Sequence, residues 1–328
     1  MSQDTAKSGI EMALNRINPK GRLNLGFFGG EPLLEPELLF WSIKEARRQA
    51  EPLEITIHPF LTTNGTLLTD SLVEKLKARK VEVTVSIDGT RESHNKYRKS
   101  SDGNGSWESA LKGLKNAATK LDNVGVNIVV SPETVSTIAS GVKKLSKIVS
   151  RIDVSLDYSA DWNHESLREL EIQFLTIGRL YTSFKKAKKP LAISFIDSKL
   201  LAIANKGVPE KCRCNLFTNE MTLAPDGNLI ACERLVRDDK ESTTHPYSFG
   251  NITAGINNNK LSTLKQSCDI IPESCKTCDI KPYCVFDCAC NNVCRTGEPA
   301  VPDGMICITE KIALTVAREV IASLQPFL

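Results

Sequence analysis

Over the first two-thirds of the chain, short runs rich in β-formers alternate with longer amphipathic runs, and this alternation restricts the fold more than any other feature. Leu23 to Phe28, Glu54 to Leu61, Val81 to Ile87, Val124 to Val130 and Ile152 to Tyr158 carry the β-branched and aromatic residues that favour a pleated surface, and predict five strands. Between them, Pro36 to Ala50, Asp70 to Lys80, Ser106 to Leu121 and Thr134 to Val149 carry helical spacing, with Thr69 and Ser131 placed as caps or turn formers. Strand followed by helix, repeated, requires right-handed crossovers and a parallel sheet, with ligand-contacting groups at the carboxyl ends of the strands. The residues Gly9 to Ile17 ahead of the first run read as a helix. Leu167 to Phe184 and Thr309 to Ser323 read as packing helices.

The segments after the first three strands hold unusual residues in those positions. Gly29-Gly30-Glu31-Pro32 combines two glycines, which let backbone approach a ligand closely, with a carboxylate and a rigid turn. Thr62-Thr63-Asn64-Gly65 follows the second strand, and Ser86-Ile87-Asp88-Gly89 follows the third, with His94, Asn95 and Arg98 beyond it. Each taken alone is an ordinary turn. Three at successive strand ends, on one rim of one sheet, point to a binding site.

The last third differs in composition. All 11 cysteines lie between Cys212 and Cys307, and Cys275, Cys278, Cys284 and Cys288 are separated by two, five and three residues. Cys214 is followed by twelve residues, Gly227, four residues and Cys232; Cys307 follows Cys288 after a gap of eighteen residues. With Cys212 that makes eight thiols, enough for two four-ligand centres. Such sets bind iron–sulfur clusters or zinc, and the spacing leaves both open. Disulfides are disfavoured by the absence of a secretory segment and by a cysteine-free stretch that reads as an intracellular α/β domain. The onset of cysteine places a domain boundary near Gly207, dividing the chain into 1–207 and 208–328.

A net charge of +3 on 328 residues gives no reason to expect nucleic acid or an anionic membrane surface as partner. No apolar run reaches the roughly eighteen residues of a membrane span. The four histidines are scattered without metal-ligand spacing, and the short run Lys185 to Lys189 reads as a solvated helix end.

With Gly29-Gly30-Glu31-Pro32 and the pattern of Cys214 or Cys212, Cys232, Cys275, Cys278, Cys284, Cys288 and Cys307, the chain resembles the radical S-adenosylmethionine enzymes with a C-terminal SPASM extension. Their members include anaerobic sulfatase-maturating enzymes and peptide maturases. The resemblance runs from about Leu23 to Cys307. It implies an α/β fold, a partial (β/α) barrel of six strands, followed by a cysteine-rich iron–sulfur tail. It also implies cofactor contacts: Gly29, Gly30, Glu31 and Pro32 at the amino group of S-adenosylmethionine, Ser86 at its methionine or ribose part, Arg98 at its carboxylate, and Thr63, Asn64 and Asp88 in the neighbouring segments. Two auxiliary [4Fe–4S] clusters would follow, one on Cys212, Cys214, Cys232 and Cys288, the other on Cys275, Cys278, Cys284 and Cys307. Cys268, Cys290 and Cys294 would be spare.

By the same resemblance Glu233, directly after Cys232, stands where maturases place an aspartate that takes a proton from the substrate radical; desolvation beside a cluster would raise its pKa. The implied activity is modification of a peptide or protein, begun by a 5′-deoxyadenosyl radical, with an electron donor such as flavodoxin or ferredoxin and a reducing cytoplasm. One departure is large. The family cleaves S-adenosylmethionine at a cluster on three cysteines after the first barrel strand, and no cysteine precedes Cys212 here. Five strands where six are expected tell the same story, so the expectation is a truncated barrel lacking its first strand, inactive alone, with an unpaired edge at Leu23 to Phe28. The alternatives are a non-catalytic iron–sulfur electron carrier or peptide-binding protein, and a zinc-stabilised structural protein.

Overall fold

The computed structural model describes residues 1–208, 220–236, 246–285 and 288–325. Helix α1 (Gln3–Leu14) precedes six parallel strands: β1 (Arg22–Phe27), β2 (Thr56–Thr63), β3 (Glu82–Ser86), β4 (Val124–Val130), β5 (Arg151–Leu156) and β6 (Ala192–Ile193). They lie side by side in chain order, with β1 and β6 at the two edges. The connections carry α2 (Pro36–Ala50), α3 (Asp70–Ala78), α4 (Arg91–Tyr97), α5 (Trp107–Lys120), α6 (Ile138–Leu145) and α7 (His164–Lys186). Helix α8 (Ser194–Ala204) follows β6 directly.

Each of the five sequence-predicted strands is present, and β6 is the addition. It has only two residues, too few to leave an alternation in the sequence. The run Thr134 to Val149 is a 3-10 turn (Val135–Thr137) leading into α6 rather than one long helix. Thr69 caps α3 by accepting from the Leu72 N–H at 3.4 Å, whereas Ser131 forms a turn, its N–H donating to Thr134 Oγ1 at 3.1 Å.

Alternation decides what each face of the sheet does. Leu61, Val83, Val85, Ile87, Val126, Ile128 and Ile152 are buried against Val73, Leu76, Leu114, Val142 and Ile177 of the helix layer. Burying each such aliphatic side chain contributes about 1.5–3 kcal/mol. The alternate positions face the other way and are mostly polar, Phe60 and Val129 being exposed apolar exceptions. Glu82 binds Arg151 Nη2 at 2.9 Å and lies 3.7 Å from His58 Nε2, while Arg151 Nη1 reaches Asp153 at 3.2 Å. The Arg151 guanidinium lies directly over Gly125, where a Cβ would meet it at 2.6 Å. Farther along, Ser155 donates to Asn127 Oδ1 at 3.0 Å. The open face is thus a polar floor leading to the carboxyl ends of the strands.

In the cysteine-rich part, four short antiparallel strands form a second sheet in the order β10 (Gly255–Ile256), β9 (Ser248–Asn251), β8 (Asn228–Ile230), β7 (Thr222–Leu223). Helices α9 (Asn258–Cys268), α10 (Glu273–Lys276) and α11 (Ala289–Thr296) follow. The last helix, α12 (Gly304–Leu324), returns to the first layer: Met305, Ile312, Val316 and Val320 are part of the main core, and glycine at 178 of α7 leaves room for Val316, which a Cβ there would meet at 2.7 Å. Sequence composition divides the chain at Gly207, yet the hydrophobic core of 1–207 is completed by α12. Among the described residues no helix is long and apolar enough to cross a membrane.

Candidate functional site

The three unusual segments meet on one rim. Glu31 joins two of them. Its Oε1 accepts from Thr63 Oγ1 at 2.7 Å and from the Leu33 N–H at 3.1 Å, and its Oε2 accepts from the Asn64 N–H at 2.7 Å. Thr63, buried, also accepts from the Gly65 N–H at 3.1 Å. Pro32 opens the short 3-10 turn that Glu31 caps. Glu31 therefore shapes the loop through three charge-assisted bonds.

Gly29 (φ +89) and Gly30 (φ +53) occupy the left-handed region, which glycine enters without the penalty of a Cβ. A Cβ at either would meet nothing within 4 Å, so this stretch of backbone is presented to open space above the sheet. On the adjoining strand Ser86 pairs in register with Asn127, placing both on the polar face.

The segment after β3 is a closed scaffold. Arg98 Nε donates to Asp88 Oδ2 at 2.5 Å and Nη2 to Oδ1 at 3.0 Å, and the same Oδ1 accepts from the Val129 N–H at 2.9 Å. Asp88 is 6% exposed. Arg98, which the resemblance assigns to the cofactor's carboxylate, has its fork taken up by Asp88, and the pair braces this loop against β4. His94 lies beneath. It accepts from the Asp88 N–H through Nδ1 at 3.3 Å, contacts Ser106 Oγ through Nε2 at 3.0 Å, and sits edge-on to Trp107. Burial holds its pKa down at about 4, which keeps it a neutral scaffold residue at neutral pH.

Two groups of thiols stand in the tail. Cys232 and Cys290 lie in the second, smaller core around Ala231, Leu235 and Ala289, and Cys288 stands two residues before Cys290 at the start of α11. Burial and the neighbouring Cys275 and Cys278 push the Cys307 thiol up, so these three share one locality; Cys284 is buried. Cys212 and Cys214 lie outside the described residues. Among the described residues no three Cys, His, Asp or Glu side chains close tightly enough around one point to hold a single metal ion. A donor set made only of thiols, several of them buried, fits iron–sulfur chemistry. Glu233 is half-buried at the start of a 3-10 turn, and its Oε2 accepts from the Cys232 thiol at 3.5 Å.

A buried ion pair fastens the tail to the sheet domain. Lys199 of α8 binds Glu310 of α12 and donates to the Tyr283 carbonyl at 2.8 Å, and Glu310 accepts from the Val285 N–H at 2.7 Å. Tyr283 and Val285 flank Cys284. Beside the pair, a cavity of about 180 Å³ is lined by Ser155, Tyr158, Arg234, Asn291 and Thr309. Burial, with Glu310 and Cys288 nearby, pushes the Tyr158 hydroxyl up to about 12. Neither Lys199 nor Glu310 stands out by motif. The available signal was one lysine directly before the apolar stretch Leu200 to Ala204.

Comparison with known proteins agrees with this geometry. The family model described as the radical SAM superfamily matches residues 5–145. Residues 5–145 are a radical SAM domain. The cysteine-type anaerobic sulfatase-maturating enzyme of Clostridium perfringens (strain 13 / Type A) is 24% identical over 307 residues, covering 88% of this chain and 79% of that one. The corresponding enzyme of strain ATCC 13124 is 34% identical over 99 residues, 30% of this chain and 26% of the other. A radical SAM cyclopropyl synthase, TigE of Paramaledivibacter caminithermalis, is 28% identical over 247 residues, 71% of this chain and 49% of that one. The solved structure of native anSMEcpe with bound AdoMet superposes with a TM-score of 0.82, covering 100% of this chain and 91% of that one at 19% identity. That likeness establishes the α/β fold with its six-stranded parallel sheet.

Proposed function

We propose that this chain holds S-adenosylmethionine and auxiliary iron–sulfur clusters in a radical enzyme that modifies a peptide or protein. The rim carries the reading: backbone of Gly29 and Gly30 held at positive φ and open to solvent, on a loop that Glu31 fixes to Thr63 and Asn64. Backbone groups of Gly29 and Gly30 would hold the cofactor's amino end, Pro32 would keep the turn rigid, and Ser86 would contact it from the polar face. Bound and reductively cleaved, S-adenosylmethionine supplies a radical that removes hydrogen from the substrate. Thr63, Asn64, Asp88 and Arg98 hold the segments in place.

In the tail, Cys275, Cys278, Cys284 and Cys307 would hold one cluster, and Cys232 and Cys288 part of another. Glu233, bonded to the Cys232 thiol, would accept a substrate proton there. A maturase-type substrate, a flavodoxin- or ferredoxin-like donor and a reducing cytoplasm belong to the same reading. The three thiolates that a cleaving cluster needs are not in the sheet domain, since no cysteine precedes Cys212. No cleavage step is therefore assigned to these residues. That observation favours a second reading, an electron-carrying or peptide-binding protein that keeps the clusters without the radical step.

Anaerobic reconstitution with iron and sulfide, followed by iron, sulfide and zinc determination and by equilibrium dialysis with S-adenosylmethionine, tests the proposal. About eight irons with matching sulfide, together with saturable cofactor binding, are expected. Zinc without sulfide would replace the iron–sulfur reading with a structural one; clusters without cofactor binding would favour the second reading.

A further inference from the structure

We infer that the cavity beside the Lys199–Glu310 pair is a side-chain subsite for the substrate peptide, and that it takes a primary amide, the head group of glutamine or asparagine. The inference rests on the reading that the substrate is a peptide or protein.

The cavity stands where the sheet domain and the tail meet, at the carboxyl end of β5. Ser155 and Leu156 come from that strand and Phe174 from α7, while Arg234 comes from the 3-10 turn after β8, Asn291 from α11 and Thr309 from α12. The carboxyl ends of parallel strands are where folds of this kind bind their ligands. At about 180 Å³ the cavity is smaller than the roughly 300–1,000 Å³ of a pocket for a drug-sized ligand, and it holds the space of about six waters. That room suits one amino-acid side chain and excludes a guest as large as a nucleotide.

The polar groups of the lining select among side chains by the hydrogens they lack. The Ser155 hydroxyl spends its hydrogen on Asn127 Oδ1 at 3.0 Å, and Thr309 Oγ1 donates to the Ile306 carbonyl at 3.1 Å. Both oxygens are left with lone pairs to offer. Asn291 Oδ1 is buried and, among the described residues, accepts no hydrogen bond. A buried acceptor without a partner is costly, and a donor from the guest relieves that cost. Arg234, an exposed residue, brings a guanidinium that can only donate. Three acceptors and one cationic donor match a group that both gives and takes hydrogen bonds. A primary amide does so: its NH2 serves Asn291, Ser155 or Thr309, its oxygen faces Arg234, and Leu156 and Phe174 receive the methylene stem. Glutamate has the same shape but no hydrogen to give, lysine would bring a second cation against Arg234, and leucine would leave every polar group unpaired.

The test is calorimetric titration of the full, anaerobically reconstituted chain with the N-acetyl methylamides of glutamine, glutamate, leucine and lysine. The glutamine probe should bind at least about tenfold more tightly than the other three. Asn291→Leu, close in size but without an acceptor, should erase the preference for glutamine over leucine. Arg234→Gln alters an exposed position, so its far-UV circular dichroism should be unchanged while the glutamine probe binds about tenfold more weakly. Equal affinity for glutamine and glutamate, a preference that survives both substitutions, or no measurable binding of any probe overturns the inference and leaves the cavity to water. Failure of the peptide reading gives a different result. In that case the glutamine probe keeps its preference, and the subsite stands, while an alanine peptide with one central glutamine binds no more tightly than the blocked residue alone.

Discussion

Replacing Lys199 by methionine should loosen the joint between the sheet domain and the cysteine-rich tail. The Lys199 side chain is 2% exposed and that of Glu310 14%, so the pair is shielded from solvent. Removing one partner of a buried pair costs about 3–5 kcal/mol, because the other charge is left without compensation. Glu310 keeps the Val285 N–H and a small opening to solvent, which sets the expectation at the lower end, about 3 kcal/mol. Loss of the bond to the Tyr283 carbonyl adds about 1 kcal/mol. With a urea dependence near 3 kcal/mol/M, suited to a chain this long, the unfolding midpoint should fall by about 1 M. Adding Glu310→Gln removes the stranded charge while an amide oxygen still accepts from Val285, so the double variant should lose only about 1–2 kcal/mol. Urea titrations of the metal-free protein, followed by circular dichroism under reducing conditions, measure both. A single variant within about 0.5 kcal/mol of the unaltered chain, or a double variant no more stable than the single, would refute the reasoning.

Gly30→Ala should fold with a loss of about 1–2 kcal/mol from its positive φ, yet weaken S-adenosylmethionine binding in dialysis, because its Cβ projects into the open space above the rim. Unchanged cofactor affinity would remove Gly30 from the site. Glu31→Gln turns an amide NH2 toward a backbone donor and should cost about 1–3 kcal/mol, read as a lower melting temperature. His94 is kept neutral in the fold and ionises near 6.5 when unfolded, so its contribution is complete above pH 6.5 and is lost as pH falls from there toward 4. Over that window stability should fall with a slope approaching 1.4 kcal/mol per pH unit, and His94→Gln should flatten it. Stability curves that superimpose between pH 4 and 7 would contradict the burial of His94. Gly113→Ala would drive a Cβ to within 1.9 Å of the Gly65 carbonyl oxygen, and should displace the β2–α3 loop at a cost of about 1–3 kcal/mol, seen in the same melts.

Local pattern alone determined the five strands and the helices α2, α3, α5 and α6 over residues 22 to 156, though not the seven-residue α4, because one buried face per longer element imposes a period of two or of 3.6 residues that short-range sequence records. It also determined that Gly29 to Pro32, Thr63 to Gly65 and Ser86 to Gly89 share a rim, since parallel strands put every carboxyl end on one side. The two-residue β6 and the tail strands of two to four residues carried no such record, because elements so short show no period, and α8 was not read from the sequence either. Tertiary structure alone decided how side chains far apart in the chain partner one another. The family resemblance marked Arg98 as a ligand contact and Cys290 as surplus; packing brought Asp88 onto the first and buried the second in the small core with Cys232. Lys199 and Glu310, 111 residues apart, meet only because α12 returns to close the core of the sheet domain. Period and spacing are properties of neighbours along the chain, whereas charge pairing and thiol clustering depend on which surfaces burial brings together.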